Sequence, residues 1–312
     1  MKIKKIFIIA GDFENEVSGP ASGVKNLVSG FEKLGIKYTA LKSYKLSELS
    51  KLFKIFSYKY IYMNGIVNYR IIYFLAKIFF WKKFIIGPNF FPHKKILSLK
   101  NCLYLSPCIW HKRYLQETYE FHSLVEVLKF PIPYFEDINT IGKRKDITIY
   151  FKNLTKTNET KETIERKNVI LIQIRKFLGE KNIKYNFIEY GSYKYDDWIN
   201  TLKNSKIAIM ITGTETQCIA KYEAMSLNVP ILNYKQTIRE WKETGVSIDY
   251  GSSLPDIKED IYGKDFENFE DFKKSYNYLL ENLGIIHSKK YVEDNFLPHI
   301  IAKKFIYLYD RI

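Results

Sequence analysis

The sequence predicts an α/β protein made of two doubly wound parallel sheets, placed one after the other in the chain and facing a central cleft. Three observations carry this. The 312 residues are about two domains long, and a 46% apolar composition can fill two separate cores. Short apolar runs rich in β-branched and aromatic residues alternate with helix-length segments, the βαβ pattern of a parallel sheet. That alternation stops at one proline-containing apolar run and then resumes, which implies two sheets with a cleft between them.

In the first half, strands are expected at Ile3–Ala10, Lys37–Leu41, Lys59–Met63, Phe84–Gly87 and Cys102–Leu105. Between the first two, Val24, Leu27, Val28, Phe31 and Leu34 recur at helical spacing, and Gly35 ends the helix. The run FPIPYF, Phe130–Phe135, puts two prolines where neither a helix nor an interior strand is comfortable, and reads as the interdomain hinge. After it come a strand at Asp146–Phe151, a helix at Lys161–Gly179, a strand at Tyr185–Tyr190 and a helix near Asp196–Lys203. The strand Lys206–Ile211, a helix from about Thr216 to Ser226 and the strand Val229–Leu232 follow. The tail from Ser288 to Ile312 reads as a helix that Pro298 should bend.

Lys and Arg number 49 against 34 Asp and Glu, a net charge of +15. Such a balance points to an anionic partner: phosphate, nucleotide, nucleic acid or lipid headgroup. The three cysteines, Cys102, Cys108 and Cys218, form no closely spaced metal knuckle and leave one unpaired in any disulfide scheme, so a reducing, cytoplasmic compartment is expected. The opening MKIKKIFIIAG has too short an apolar core for a signal peptide and reads as a buried strand. The stretch Ile71–Trp81, interrupted by Lys77, is well short of the about 20 residues a spanning helix needs. It is either a crossover helix packed on the sheet, or a helix on the membrane surface with Arg70, Lys77, Lys82 and Lys83 at the headgroups.

The segment KIAIMITGTETQCIAKYEAMSLNVPILNY, Lys206–Tyr234, is the most informative. A buried strand runs through Gly213 and Thr214 into a helix, which sets a loop and a helix start at the carboxyl edge of a parallel sheet, where open α/β folds bind ligands. The backbone N–H groups of Thr216, Gln217 and Cys218 would offer hydrogen bonds to a phosphate there. Glu215 stands just before this helix and Glu223 two turns inside it, about 12 Å away at the helical rise, the reach of a sugar nucleotide from sugar to ribose. Taken alone, Glu215 reads as a plain acid at a helix start and Glu223 as a helix-surface acid paired with a nearby lysine.

Two glutamates with seven residues between them, followed by Ala-Met-Ser and Val-Pro-Ile-Leu, resemble the donor-site signature of the retaining GT-B glycosyltransferases, group 1 or family 4. The upstream run YGSYKYDDWINTLKNSKIAIMI, and more loosely GPASGVKNL, FIIGPN, SPCIWHK and FPIPYF, are similar to that family too. The resemblance implies a GT-B fold: residues 1–132 an acceptor-side Rossmann-like domain, 133–290 a donor-side one, and 291–312 a C-terminal helix crossing back. It implies Glu215 as the catalytic contact to the donor sugar and Glu223 as acceptor from the ribose hydroxyls, with Gly191 in the donor pocket. Transfer passes through a loose, oxocarbenium-like transition state, so a cation must stabilise the departing diphosphate. Lys152, at the end of the strand DITIYF, is the first candidate for it, with Lys156, Lys161 and Arg175 as alternatives, because the family's usual arginine and lysine are replaced here by YFKNLTKTNETK.

In the first domain, Gly19, Ser22 and Gly23 resemble the family's glycine-containing loop near the donor phosphate or acceptor, since glycine lets backbone approach a ligand. Asn89 and His93, in GPNFFPH, would face the cleft. His111 and the thiol of Cys218 read as structural groups. No Asp-x-Asp triplet or histidine pair at metal-ligand spacing occurs, so neither a catalytic metal nor a cofactor is expected; a UDP- or GDP-sugar serves as co-substrate. The function that follows is hexosyl transfer to a glycan or lipid-linked acceptor in surface-polysaccharide or glycoconjugate synthesis, in the cytoplasm, with peripheral contact to an anionic inner membrane face. A catalytically inactive GT-B scaffold and a nucleotide-sugar epimerase remain open. A nucleic-acid-binding protein is disfavoured, because its basic residues should form one aromatic-interleaved stripe.

Overall fold

The computed structural model describes residues 3–14, 19–42, 50–64, 68–88, 94–119, 124–136, 144, 146–153, 161–213, 215–235, 239–241, 246–248 and 257–312. The chain divides into two compact units, Met1–Pro133 with Asp294–Ile312, and Tyr134–Glu293.

The N-terminal unit holds six parallel strands: β1 Lys5–Ile9, β2 Lys37–Leu41, β3 Tyr60–Met63, β4 Lys83–Ile86, β5 Cys102–Ser106 and β6 Leu124–Val127. Their spatial order is β2-β1-β3-β4-β5-β6. Winding starts at β1, steps to β2 on one side, then reverses to β3 on the other. The central strands are buried on both faces, as parallel strands under helices must be. The helix Gly19–Lys33 uses Val24, Leu27, Val28 and Phe31, the residues at helical spacing, as its buried face. Residues 19–23 are already helical, so Gly19, Ser22 and Gly23 do not form the loop their glycines suggested. A Cβ on Gly23 would meet the Phe130 ring at 2.3 Å. Its missing side chain makes room for packing.

The second unit has β7 Asp146–Phe151, β8 Tyr185–Glu189, β9 Ser205–Ile211, β10 Ile231–Tyr234 and β13 Gly263–Phe266 in the order β13-β10-β9-β7-β8, all parallel. A separate antiparallel pair joins β11 Arg239–Trp241 to β12 Val246–Ile248. Ile147, Ile149, Ile207, Ile209 and Ile211 meet Ile174 and Leu178 of the helix Lys161–Glu180, together with Phe272 and Tyr276 of the helix Phe269–Glu281, in one core.

Three expectations are corrected. Strand β10 begins at Ile231 rather than Val229, because Pro230 has no N–H for the ladder and only its carbonyl is used, by Ala208. Strand β6 was not anticipated; its single apolar alternation, Leu-Val-Glu-Val, is too short to stand out. The tail is two helices, Ser288–Phe296 and Pro298–Leu308. Proline sits at the start of the second, where its lack of an N–H costs nothing, instead of bending a single helix. Residues 294–312 belong to the N-terminal unit, where Phe305 packs edge-on against Phe31 and Tyr62.

That last helix lies so close to Gly30 that a Cβ there would stand 2.1 Å from the Pro298 carbonyl oxygen. Backbone cannot yield as a flexible side chain does, so Gly30→Ala should cost roughly 1–3 kcal/mol. Gly179, in the helix Lys161–Glu180 with open space around it, is the contrast: Gly179→Ala should stabilise by about 0.5–1 kcal/mol through helix propensity. Urea unfolding of the two variants, read against the parent, gives both signs.

Candidate active site

In the second unit, winding starts at β7, passes to β8 and then reverses to β9 on the opposite side. Connections leaving the two sides of β7 diverge, and the crevice they leave at the carboxyl ends of β7 and β9 is where such sheets take ligands. Lys152 follows β7 and Glu215 lies beyond the end of β9. The Lys152 N–H continues the ladder by donating to the Ile211 carbonyl (2.9 Å), and its Nζ reaches Glu215 Oε1 at 2.8 Å. A third connection arrives from β8: Tyr190 donates its N–H to the Phe151 carbonyl and lays its ring 4.6 Å from the Lys152 ammonium. Burial opposes the charge on Lys152, but its neighbours, Glu215 foremost, together outweigh it and hold the ammonium above its ordinary pKa.

Lys167, fully buried on the helix Lys161–Glu180, donates to the Lys152 carbonyl at 2.6 Å. Sequence reasoning passed over it, because a lysine at a helical position is normally solvated. The alternatives to Lys152 lie elsewhere. Lys161 is exposed and faces Glu165, while the Arg175 guanidinium stacks 4.0 Å from the Phe187 ring. Lys156 falls outside the described residues, as do Thr214, Asn89 and His93.

Glu223 extends from the helix Ile219–Ser226 and is 5% exposed. Its Oε2 accepts from Trp198 Nε1 at 2.8 Å, and Tyr195 donates a second hydrogen bond. Burial pushes the carboxyl up to about 7, with the Trp198 and Tyr195 bonds working in the opposite direction. Trp198 is itself flanked by the Tyr150 ring at 5.0 Å and the Tyr193 ring at 6.1 Å. Tyr190, Tyr193, Tyr195 and Trp198 were not singled out from the sequence. Their signal was the aromatic density of YGSYKYDDW after β8, beside Gly191, whose φ of +85° lets the chain turn there.

The helix carrying Glu223 starts at Ile219, three residues later than expected. Cys218 adopts φ 54° and ψ 73°, a left-handed conformation that interrupts helical geometry. Thr216, Gln217 and Cys218 therefore precede the first turn and do not supply its N–H groups, and the helical spacing of Glu215 from Glu223 does not apply. Burial, then the neighbouring Glu215, pushes the Cys218 thiol up to about 12, so it is inert at neutral pH. His111 is fully buried against Ser106, ring Nδ1 to Oγ at 2.9 Å, a structural pairing. Among the described residues, no group of three or more His, Cys, Asp or Glu is arranged to hold a metal ion.

No protein-family profile and no curated protein matches the sequence. Solved structures do match the fold. The chain is similar to a sucrose-phosphate synthase from Thermosynechococcus elongatus at 11% identity, over 99% of this chain and 98% of that one, with a TM-score of 0.65. It is similar to the apo form of the lipopolysaccharide outer core galactosyltransferase WaaB at 12% identity, over 99% and 100%, with a TM-score of 0.62. It also resembles S. aureus MnaA, solved with UDP, at 13% identity over 97% and 95%, with a TM-score of 0.52. The fold is GT-B. Within it, the crevice between β7 and β9 gathers Lys152 and Glu215, and Glu223 lies on the helix that follows β9.

The raised carboxyl of Glu223 makes stability pH-dependent. The native state holds its proton up to about 7, whereas the unfolded chain releases it near the ordinary value of 4.5. Native protein thus binds the extra proton in that window, and stability falls as pH rises through it, by up to about 3 kcal/mol. Glu223→Gln should flatten this part of the profile, as measured by denaturant midpoints between pH 4.5 and 8.

Proposed function

We propose that the protein is a glycosyltransferase that moves a hexosyl group from a UDP- or GDP-sugar to a glycan or lipid-linked acceptor, without a metal ion and with retention of configuration. The observation that carries this reading is the Lys152–Glu215 pair across the β7–β9 reversal. A cation and a carboxylate there match the two demands of glycosyl transfer, a departing diphosphate and a sugar held by its hydroxyls. Lys152 stabilises the diphosphate as the bond from the anomeric carbon to it breaks. The acceptor hydroxyl oxygen bonds to that carbon, and its proton passes to the leaving diphosphate. Glu215 orients the sugar and Glu223 accepts from the ribose hydroxyls. Lys156, Thr216, Gln217, Cys218 and Gly191 line the donor, and Asn89 and His93 belong to the acceptor side.

The name of WaaB, a galactosyltransferase, supports a hexosyl donor, and the UDP in the MnaA structure favours UDP as carrier. A role in surface-polysaccharide or glycoconjugate synthesis, in the cytoplasm at the inner membrane face, completes the reading.

A thermal-shift screen across UDP-, GDP-, ADP- and CMP-sugars should stabilise the protein with one nucleotide class, and Glu223→Ala should abolish the shift. Affinity should weaken as pH drops below about 7, where Glu223 takes up a proton and becomes a weaker acceptor for hydroxyls. With the donor known, Lys152→Ala should lower kcat/KM about 10²- to 10³-fold, with partial recovery in Lys152→Arg. Donor binding without sugar transfer to any acceptor would leave a binding protein in place of an enzyme, and donor rearrangement without an acceptor would make it an epimerase.

A further inference from the structure

The N-terminal unit carries an apolar face that its own fold does not use. The helix Tyr69–Ile78 packs inward through Ile72, Leu75 and Ala76, yet on its other side Phe74 is 62% and Ile78 45% exposed. Beyond its end Phe80 and Trp81 are 72% and 57% exposed, and in the 3-10 turn Phe53–Ser57, Phe53 and Phe56 are 77% and 63% exposed. In such a turn side chains three apart eclipse, so Phe53 and Phe56 share a side. Ring contacts join the turn to the segment beyond the helix: Phe56 meets Phe79 at 5.1 Å, Phe79 meets Trp81 at 5.7 Å, and Trp81 meets Phe80 at 5.1 Å. Isolated exposed apolar residues need no explanation; six on one face do.

Charge states what covers it. Between Glu48 and Glu117 the sequence has no Asp or Glu and twelve Lys or Arg. The basic residues of the chain are spread widely, but its acids are not, and this span is where they are missing. Lys54, Lys59, Arg70 and Lys77 are exposed. Lys82, expected among the headgroup contacts, is buried and holds the turn to the helix end, donating to the carbonyls of Phe56 at 3.1 Å and Tyr58 at 2.6 Å. Aromatic and aliphatic side chains beside exposed lysines and an arginine fit the boundary of an anionic bilayer, where rings enter the acyl margin and lysines meet the headgroups. Among the described residues no helix is long and apolar enough to cross a membrane, so the contact is with its surface.

We propose that the face formed by Phe53, Phe56, Phe74, Ile78, Phe80 and Trp81 docks the protein on an anionic lipid bilayer. This deepens the reading of a lipid-linked acceptor and, in that respect, rests on it; lipid binding is measured with neither donor nor turnover, so either idea can fail while the other stands.

The test is co-sedimentation of the full chain with phosphatidylglycerol or phosphatidylcholine vesicles. Binding should favour phosphatidylglycerol and weaken with added salt. The double variant Phe80→Ser, Trp81→Ser should lose about tenfold or more in partitioning, as should Lys54→Glu with Lys77→Glu. Ile172→Ser, which removes an apolar side chain 66% exposed in the second unit, should change nothing. Equal binding to both lipids, an unchanged double variant, or an equal loss in Ile172→Ser would overturn the proposal. So would a dimer that the double variant breaks, or oligonucleotide binding that the double variant abolishes in a protein that ignores vesicles.

Discussion

An ion pair at the point where a sheet reverses its winding, Lys152 to Glu215, is the interaction on which the second unit's carboxyl edge depends. Taking both groups out of water is costly, and only their mutual attraction with further hydrogen bonds offsets it. The geometry supplies these from three directions. Strand β9 receives the Lys152 N–H, Tyr190 after β8 faces its ammonium, and Lys167 grips its carbonyl. Two lysines thus converge on the end of β7, one through its charge and one through its hold on the backbone.

Glu223 answers a different demand. An unpaired carboxylate in a buried place would release little of its proton at neutral pH, and here donors from Trp198 and Tyr195 pull part of the way back. The result is a group poised near neutrality, able to respond to whatever donors a ligand brings. Because Trp198 and Tyr195 belong to the segment after β8 while Glu223 follows β9, this hydrogen-bonded cluster ties the two flanks of β7 together a second time. Tyr150 and Tyr193 pack around the fully buried Trp198, and that burial strengthens its hydrogen bond to Glu223.

Much of the fold was legible because parallel strands covered on both sides are continuous apolar runs, and IFII, IAIMI and ITIYF cannot be hidden. The ends of elements were not. The helix was expected from about Thr216, but the backbone waits for Cys218 to turn left-handed at a place where glycine would do so without strain. Of the candidate site, Lys152 stood out from the order of strand ends, and Glu215 and Glu223 from the resemblance of their segment to a known signature, although the helical rise assumed between the two acids does not hold. Lys167 and the Tyr190–Trp198 aromatics were not, because their roles arise from side chains meeting across elements far apart in sequence. Gly23 shows the opposite error: its lack of a side chain serves Phe130, and no sequence pattern distinguishes a glycine that admits a ligand from one that admits a neighbouring ring.

The helix Tyr69–Ile78 shows where periodicity stops being informative. Covering a sheet needs one apolar stripe, and Ile72, Leu75 and Ala76 provide it. A second stripe at Phe74 and Ile78 has no counterpart in the fold, so the demand of the core cannot account for it. Of the two alternatives read from the sequence, the inner stripe answers to the helix packed on the sheet, and the outer stripe is the face proposed above for a membrane surface. Lys82 divides the roles in the same way: its ammonium is consumed by two backbone carbonyls, which ties the Phe56 turn to the segment that carries Phe79 and Trp81. A charge spent inside the structure is what holds the apolar groups outside it in place.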